Sequence, residues 1–140
     1  MPGLALLWWA GHFTRQSIAV PLIIGYLLSV LLTTLLKYTV RRRRPEGEWG
    51  ALYRKTDPHS FPSGHAARAV TLSMVVLARD VVLAGVLLLA WSLAVGFARI
   101  VLGVHFLVDV LAGYLLGLAI GLAIGLWMAR GLSGLPPFPW

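Results

Sequence analysis

The sequence contains no cysteine, and this absence excludes disulfide bonds and thiolate metal sites. Acidic residues are also few, since five Asp and Glu stand against twelve Lys and Arg, for a formal net charge of +7 at pH 7. The chain therefore offers no dense carboxylate cage for a metal ion. Charged residues of both signs make up only 12% of the chain, about half the fraction typical of a globular domain. That shortage argues against an ordinary soluble protein.

Apolar residues are abundant instead, at 59% of the 140 residues, with a mean hydropathy of +0.82. A soluble fold of this length could not bury so much apolar surface, whereas a lipid bilayer could cover it. The excess of basic residues suggests an acidic partner, such as nucleic acid, anionic lipid headgroups or a phosphate substrate. The hydrophobicity argues against nucleic acid. We therefore expect a single membrane-embedded domain over residues 1–140.

Four apolar stretches predict an all-α, polytopic membrane bundle, and the second is too short to span a bilayer alone. Residues 1–16 are apolar but short, and are interpreted as an interfacial segment or part of a longer helix. The tail after residue 131 contains Pro136 and Pro137 and cannot continue a helix. The four predicted membrane helices are about Ser17–Lys37, Ala66–Ala78, Val81–Val101 and Val104–Met128.

The fourth stretch has a glycine at every fourth position, namely Gly113, Gly117, Gly121 and Gly125. Small residues at this spacing lie on one helical face and allow close helix packing in lipid. The stripe predicts a packing face, either within the chain or, as an alternative, between copies in a homo-oligomer.

Residues 38–61 form the longest polar segment and predict an active-site loop at one membrane face. If the helices alternate in direction, their ionisable ends next to this loop meet at the same end of the bundle. Ionisable groups beside membrane spans are costly, and their default interpretation is functional. The residues expected to converge are Lys37, Arg44, His65, Arg99, His105 and Asp109.

The two residues His105 and Asp109 are four positions apart and therefore share a helical face. Asp109 can accept a hydrogen bond from one ring nitrogen of His105 and leave the other nitrogen free to attack. His65 follows a Pro-Ser-Gly turn in which Ser63 suits an N-cap, and backbone N–H groups there would face an anion. Cations that converge without matching carboxylates repel one another unless an anion such as phosphate lies between them.

In their order and internal spacing, these residues resemble the three signature motifs of the type 2 phosphatidic acid phosphatase superfamily. That group includes bacterial undecaprenyl-diphosphate phosphatases and vanadium haloperoxidases. The resemblance covers about residues 17–128, and three motifs in order are far more specific than any one of them. The motifs are Lys37-x6-Arg44-Pro45, Pro62-Ser63-Gly64-His65 and Arg99-x5-His105-x3-Asp109.

The resemblance implies a membrane lipid phosphatase that needs no metal or cofactor, because the basic cluster stabilises the transferred phosphoryl group. His105 would attack phosphorus to form a phospho-histidine, Asp109 would orient His105, and His65 would protonate the leaving group. The substrate would be a lipid phosphomonoester, such as phosphatidic acid, or a polyprenyl diphosphate, and the residues do not choose between them. The phosphate would be held by Lys37, Arg44, Ser63, Gly64 and Arg99.

Two departures from the family pattern leave an alternative open. Ala98 stands where the third motif usually has a serine, and membrane members often have six spans. The two departures motivate an alternative, a catalytically weak or inactive relative that binds anionic phospholipid. Ala98 by itself is expected to weaken substrate binding and not to inactivate an enzyme, and the intact His65, His105 and Asp109 count against the alternative. A vanadate-dependent oxidant is a further alternative, which the membrane composition disfavours. Among the other basic residues, 41–43 are interpreted as a solvated run near headgroups, and Arg68 as a snorkelling side chain or a substrate contact.

The orientation in the membrane is ambiguous from charge. The predicted active-site face has most of the basic residues, so a positive-inside count places the site in the cytoplasm. However, the cations that hold phosphate are required on whichever side the chemistry occurs. The resemblance to bacterial members favours the extracytoplasmic face of the plasma membrane.

Overall fold

The computed structural model describes residues 2–46 and 48–131, which form five α-helices and no strand. Three segments are long and apolar enough to cross a membrane, with hydropathies of 2.0 to 2.3: Ile18–Val40, Val82–Val101 and Leu107–Arg130. The predicted all-α polytopic bundle is therefore confirmed. The helices are α1 (Pro2–Val40), α2 (Glu48–Thr56), α3 (Gly64–Leu77), α4 (Val82–Val101) and α5 (Leu107–Gly131).

The short helix α3 lies at the centre of the bundle. It has 14 residues, too few to cross about 30 Å of hydrocarbon, and it is not one of the membrane-spanning segments. It packs against α1, α4 and α5, and its small side chains Ala66 and Ala67 are fully buried. Larger apolar side chains form the core near the C-terminal end of α3, namely Val75, Ile120, Ile124 and Met128.

The glycine stripe of α5 faces α3 of the same chain. A Cβ at Gly113 would lie 2.5 Å from the Ser63 carbonyl oxygen, and one at Gly117 would overlap the Ala67 carbonyl oxygen. Glycine therefore lets the two helix backbones approach more closely than any side chain would permit. The stripe is a packing face, as predicted. A homo-oligomer joined through the stripe stays a prediction.

The structure differs from the sequence-based boundaries at two places. Helix α1 starts at Pro2, so the segment 2–16 is continuous with the first membrane helix rather than a separate element. The polar segment 38–61 contains the nine-residue helix α2, which hydropathy does not indicate because its sequence is polar. The proline-containing tail, 132–140, lies outside the described residues.

A chain of buried hydroxyl groups connects three helices beneath the site. The Ser29 hydroxyl on α1 lies 2.9 Å from the Thr71 hydroxyl on α3, which donates at 3.2 Å to the Gly117 carbonyl on α5. Ser29 and Thr71 are both fully buried. Such interhelical hydrogen bonds add specificity where lipid provides no hydrophobic drive between helices.

Replacing Thr71 with valine is expected to lower the free energy of unfolding by about 0.6–1.7 kcal/mol, the range for one interhelical hydrogen bond in a membrane protein. Valine keeps the branched shape but leaves the Ser29 hydroxyl without its α3 partner. Thermal unfolding of detergent-purified protein would measure the change. Thr39→Val is the matched control, because Thr39 is exposed and its hydroxyl bonds only to Leu35 of its own helix. Equal effects at the two positions would contradict the interhelical role.

Candidate active site

The ends of α1, α3, α4 and α5 meet at one end of the bundle, which we call the active-site end. Two hydrogen bonds to backbone carbonyls hold this arrangement. The Ser63 N–H donates to the Asp109 carbonyl at 2.8 Å, which joins the start of α3 to α5. Arg44 Nη1 donates to the Val104 carbonyl at 2.8 Å, which joins the polar segment to the turn before α5. The predicted convergence is confirmed by these contacts.

The pair His105 and Asp109 lies at the start of α5. Phe106 immediately precedes the helix, and its N–H donates to Asp109 Oδ2 at 2.8 Å, the arrangement of an acidic residue in the first turn that bonds back to the N-cap. This bond orients the carboxylate towards the residue before Phe106. Asp109 Oδ2 lies 3.7 Å from His105 Nδ1, just beyond hydrogen-bond length. Both side chains are buried, with relative exposures of 4% for His105 and 0% for Asp109.

The surroundings of His105 favour its neutral imidazole. Burial is the main reason that the pKa of His105 lies below its ordinary value, and the positive charge of Arg44 adds to the effect, while the nearby Asp109 carboxylate opposes it. A neutral ring has a free lone pair on one nitrogen. Since Nδ1 faces the Asp109 carboxylate, the nitrogen free for chemistry is Nε2.

The guanidinium of Arg44 lies against that nitrogen, with Nη1 at 3.2 Å from His105 Nε2. Two backbone carbonyls fix the plane of the group, since Nε donates to Asp57 O at 2.7 Å and Nη1 to Val104 O at 2.8 Å. Arg44 is 5% exposed. A buried cation therefore lies where an oxygen of a phosphoryl group on Nε2 would have to be stabilised.

Asp57 is a carboxylate at the site that the sequence analysis did not single out. Its Oδ2 accepts a hydrogen bond from Arg44 Nη2 at 2.8 Å and also contacts Lys37 Nζ. The side chain is 40% exposed, so solvent reaches the carboxylate. It bridges two cations that would otherwise repel each other.

Tyr53 lies on α2, four residues before Asp57, whose N–H donates to the Tyr53 carbonyl at 2.7 Å, and its side chain contacts two further site residues. Arg99 Nη1 donates to the Tyr53 hydroxyl at 3.1 Å, and the Arg44 guanidinium lies 5.0 Å from the centre of the Tyr53 ring. A cavity of about 570 Å³ opens beside this contact. The cavity is lined by Trp49, Tyr53, Lys55, Thr56, Arg99, Leu102 and Val104.

The Pro-Ser-Gly turn opens α3 as predicted, with Ser63 at the N-cap position. The Ser63 side chain makes no capping bond, however, and its fully buried Oγ has no hydrogen-bond partner among the described residues. The next residue, Gly64, is covered by Arg68, whose Nη1 would lie 3.1 Å from a Cβ added there. Arg68 therefore turns back over the start of α3 instead of extending along the bundle. Buried polar groups are normally paired, so the free Ser63 hydroxyl is notable.

His65 is exposed at the active-site end. Desolvation by the surrounding protein, together with the positive charges of Arg99 and Arg68, lowers the pKa of His65 to about 4. The charges of His105 and Lys37 act on it in the same direction. All of the predicted site residues are thus brought to one end of the bundle. An anion bound among the cations would offset their effect and favour protonation of His65.

One side chain of the basic run also belongs to the site, which corrects its interpretation as solvated. Arg42 Nη1 donates to Asp109 Oδ1 at 3.0 Å, and its guanidinium lies 4.5 Å from the centre of the Phe106 ring. Arg43 pairs with His59 in an isolated bridge, so the chain is extended here and alternate side chains point to opposite sides. That alternation places Arg42 and Arg44 inward and Arg43 outward. The run is four consecutive arginines, so the sequence itself has no signal that separates Arg42 from its neighbours.

Within the described residues, no cluster of three or more His, Cys, Asp or Glu side chains is placed to hold a metal ion. The ionisable groups of the site are instead dominated by arginine, lysine and histidine. This donor set matches an anionic ligand.

Comparisons with known proteins agree with the site. The model of the PAP2 superfamily matches residues 18–132, which include every residue described at the site. An undecaprenyl-diphosphatase from Sulfolobus acidocaldarius is 30% identical over 102 residues, which is 71% of this chain and 50% of that protein. The chain thus spans about half the length of this curated relative. No solved structure matches.

Proposed function

The chain belongs to the PAP2 superfamily, and from that premise we propose that it is an integral membrane lipid phosphatase that works through a phospho-histidine intermediate. The observation on which the proposal rests is the environment of His105. Its Nδ1 side faces a carboxylate and its Nε2 side faces the buried guanidinium of Arg44. A nucleophile with an orienting carboxylate on one side and a phosphate-binding cation on the other is what phosphoryl transfer requires.

In the first step, the lone pair of His105 Nε2 attacks phosphorus and the bond from phosphorus to the leaving oxygen breaks. His65 donates a proton to that oxygen, while the Nδ1 proton stays on the ring and is held by Asp109. Arg44, Lys37 and Arg99 stabilise the charge on the equatorial oxygens. In the second step, water attacks the phospho-histidine and gives its proton to His65. Inorganic phosphate leaves and both histidines return to their starting forms.

The substrate class follows from the membrane setting and the relative. The site lies at the ends of apolar helices, so a lipid tail can stay between or beside the helices while its headgroup meets the cations. A lipid phosphomonoester or a polyprenyl diphosphate fits this arrangement. The relative from Sulfolobus acidocaldarius is named for undecaprenyl diphosphate, which favours the diphosphate. We place the site at the extracytoplasmic face, as the resemblance to bacterial family members implies.

The test is phosphate release by detergent-purified protein in EDTA, from phosphatidic acid, phosphatidylglycerol phosphate and a polyprenyl diphosphate. Release that persists in EDTA supports a metal-independent phosphatase, and the best substrate identifies the lipid class. If folded protein releases phosphate from none of the three but binds anionic vesicles, the chain is a non-catalytic lipid-binding relative.

The Asp57→Asn variant is expected to bind inorganic phosphate and orthovanadate more tightly than the unmodified protein, by about two- to fivefold, the scale of one partly exposed ion pair. The Asp57 carboxylate forms ion pairs with Lys37 and Arg44, and an incoming phosphate must displace the carboxylate to bind these cations. Arg44 stays in place without the carboxylate, because two backbone carbonyls also hold it. Inhibition constants from steady-state kinetics would measure the change.

The control for Asp57 is Asp80→Asn, which removes the same charge beyond the opposite end of α3. It should leave both inhibition constants unchanged. Weaker inhibition of Asp57→Asn would contradict the prediction and show that the carboxylate positions the cations for phosphate.

A further inference from the structure

Asp109 is a fully buried carboxylate with two oxygens in different environments. Oδ2 accepts the Phe106 N–H at 2.8 Å and faces His105 Nδ1 at 3.7 Å. Oδ1 accepts from Arg42 Nη1 at 3.0 Å. A buried charge is costly unless it is paired. Arg44 acts on Asp109 through its charge, and two side chains lie directly at the carboxylate oxygens: the permanent cation Arg42, and His105, which balances Asp109 when its ring is protonated.

Contacts hold both the side chain and the backbone of Arg42 in place. Its guanidinium stacks on the Phe106 ring at 4.5 Å, a favourable cation–π geometry. Its backbone carbonyl accepts the Ser60 N–H at 2.9 Å, which ties the chain at Arg42 to the segment before α3. The side chain is 36% exposed, so solvent keeps the guanidinium charged at little cost. This is the setting of a fixed cation and not of a mobile surface arginine.

Resting on the proposed function, we propose that Arg42 is a positioning residue that holds Asp109 Oδ1, so that Oδ2 remains directed at His105 and the nucleophile remains neutral. The ion pair with Arg42 already balances Asp109. The carboxylate therefore draws a proton onto His105 less strongly than an unpaired one would, yet it still stabilises the Nδ1 proton as His105 acquires positive charge in the reaction. The motif residues alone do not specify this partner, because Arg42 lies between Lys37 and Arg44.

The other positively charged groups around His105 all disfavour protonation of its ring. Arg44 lies at 3.2 Å from Nε2, and Lys37 also disfavours the protonated ring. His65 on α3 interacts with His105 through the same kind of repulsion. Asp109 is the group that favours protonation. Arg42 partly neutralises that carboxylate. Removing Arg42 would therefore strengthen the effect of Asp109 and favour the protonated, imidazolium form of His105.

The experiment compares Arg42→Ala, Arg42→Gln and Arg42→Lys with the unmodified protein, using the lipid that the protein hydrolyses best. For Arg42→Ala we expect kcat to fall by about 10–100-fold, the usual range for loss of a residue that orients a catalytic ligand. KM and the inhibition constant of vanadate should change by less than twofold, since Arg42 bonds to Asp109 and not to the phosphate site. The acidic limb of the kcat/KM profile should move to higher pH, because a protonated His105 cannot attack. Arg42→Lys should restore the position of that limb in part.

Arg43→Ala is the matched control. It removes the same charge from the adjacent residue, whose side chain is exposed, and it should keep the kcat and the pH profile of the unmodified protein. An Arg42→Ala profile that coincides with the unmodified one would overturn the proposal. So would a rise in KM with kcat unchanged, which would make Arg42 a phosphate contact, or an equal loss in Arg43→Ala. If Arg42→Ala does not fold, Arg42→Gln gives the same comparison, because it keeps a hydrogen-bond donor and loses the charge.

A second measurement separates this inference from the proposed function. NMR titration of histidine-labelled protein, with His105→Asn used for assignment, reports the pKa of His105 without turnover. A higher pKa in Arg42→Gln than in the unmodified protein supports the positioning role even if no lipid is hydrolysed. An unchanged pKa overturns it even if the protein is an active phosphatase. Absence of phosphate release with the expected pKa change would instead count against the proposed function alone.

Discussion

Replacing His105 with alanine is expected to abolish phosphate release, with a loss of at least about a thousandfold, the scale seen when a covalent nucleophile is removed. Within the part of the chain that the structure describes, no other nucleophile has this setting, since His105 Nε2 is the nitrogen that Arg44 contacts and Asp109 supports. Initial rates in EDTA with the best substrate would measure the loss.

The same variant tests the intermediate directly. Unmodified protein that is quenched during turnover of a lipid labelled on its phosphate should contain acid-labile, base-stable label, the behaviour of a phospho-histidine. His105→Ala should contain none. His59→Ala serves as the control, because His59 lies in the same polar segment but packs edge-on against Tyr38 at 5.6 Å. Activity within tenfold of the unmodified protein in His105→Ala would refute the covalent mechanism.

Much of the bundle could be predicted from the sequence, because a bilayer restricts which structures can span it. Apolar length determines which segments span, and the three spans follow the predicted boundaries to within a few residues, apart from the extension of α1. Alternation of helix direction then brings Lys37, Arg99 and Asp109 to one end without any knowledge of side-chain contacts. His105 and Asp109 lie 3.7 Å apart, as their spacing predicted. The predicted shared helical face is wrong, however, because α5 begins only at Leu107 and the turn at Phe106 brings His105 to Asp109.

The polar segment could not be predicted to the same depth. Arg42, Tyr53 and Asp57 lie where no apolar period or membrane constraint defines the chain. Their positions depend on tertiary contacts: Arg42 on the Phe106 ring, Tyr53 on two arginines, and Asp57 on Lys37 and Arg44. Helix α2, which presents Tyr53, is short and polar, and hydropathy does not distinguish such a helix from a loop. The motif residues were therefore identified, whereas the residues that hold them were not.

The packing of α5 on α3 and the geometry of the site depend on each other. The Ser63 N–H bonds to the Asp109 carbonyl at 2.8 Å, and a Cβ at Gly113 would lie 2.5 Å from the Ser63 carbonyl. Both contacts require the two helices to be in near backbone contact. Any change that separates the helices moves the second motif away from the third, so we expect the glycine stripe to affect the proposed activity as well as the stability.

Gly117→Ala is therefore expected to lower the free energy of unfolding by about 1–3 kcal/mol or more, the cost of overpacking a tight interior. The new Cβ would overlap the Ala67 carbonyl oxygen and lie 3.0 Å from Val70 Cβ. Because the first obstacle is backbone, a side-chain rotation cannot relieve it and the helices must separate. The higher helix propensity of alanine offsets only about 1 kcal/mol. Thermal unfolding in detergent would measure the stability, and kcat should fall with it as Ser63 and Asp109 move apart.

Gly125→Ala, one turn past Gly121 on the same stripe, is the control for this substitution. Its Cβ would lie 3.2 Å from Ala78 Cβ, a side-chain contact at the end of α3 that a small shift relieves. We expect Gly125→Ala to be as stable as the unmodified protein or more stable. Alanine has a higher helix propensity than glycine, and no backbone clash cancels that gain here. If the two alanine variants unfold at the same temperature with equal activity, α3 and α5 do not approach as closely as the structure indicates. If only Gly117→Ala loses stability and activity, the geometry of the site depends on backbone contact between α3 and α5. That contact lies about two helical turns from Asp109.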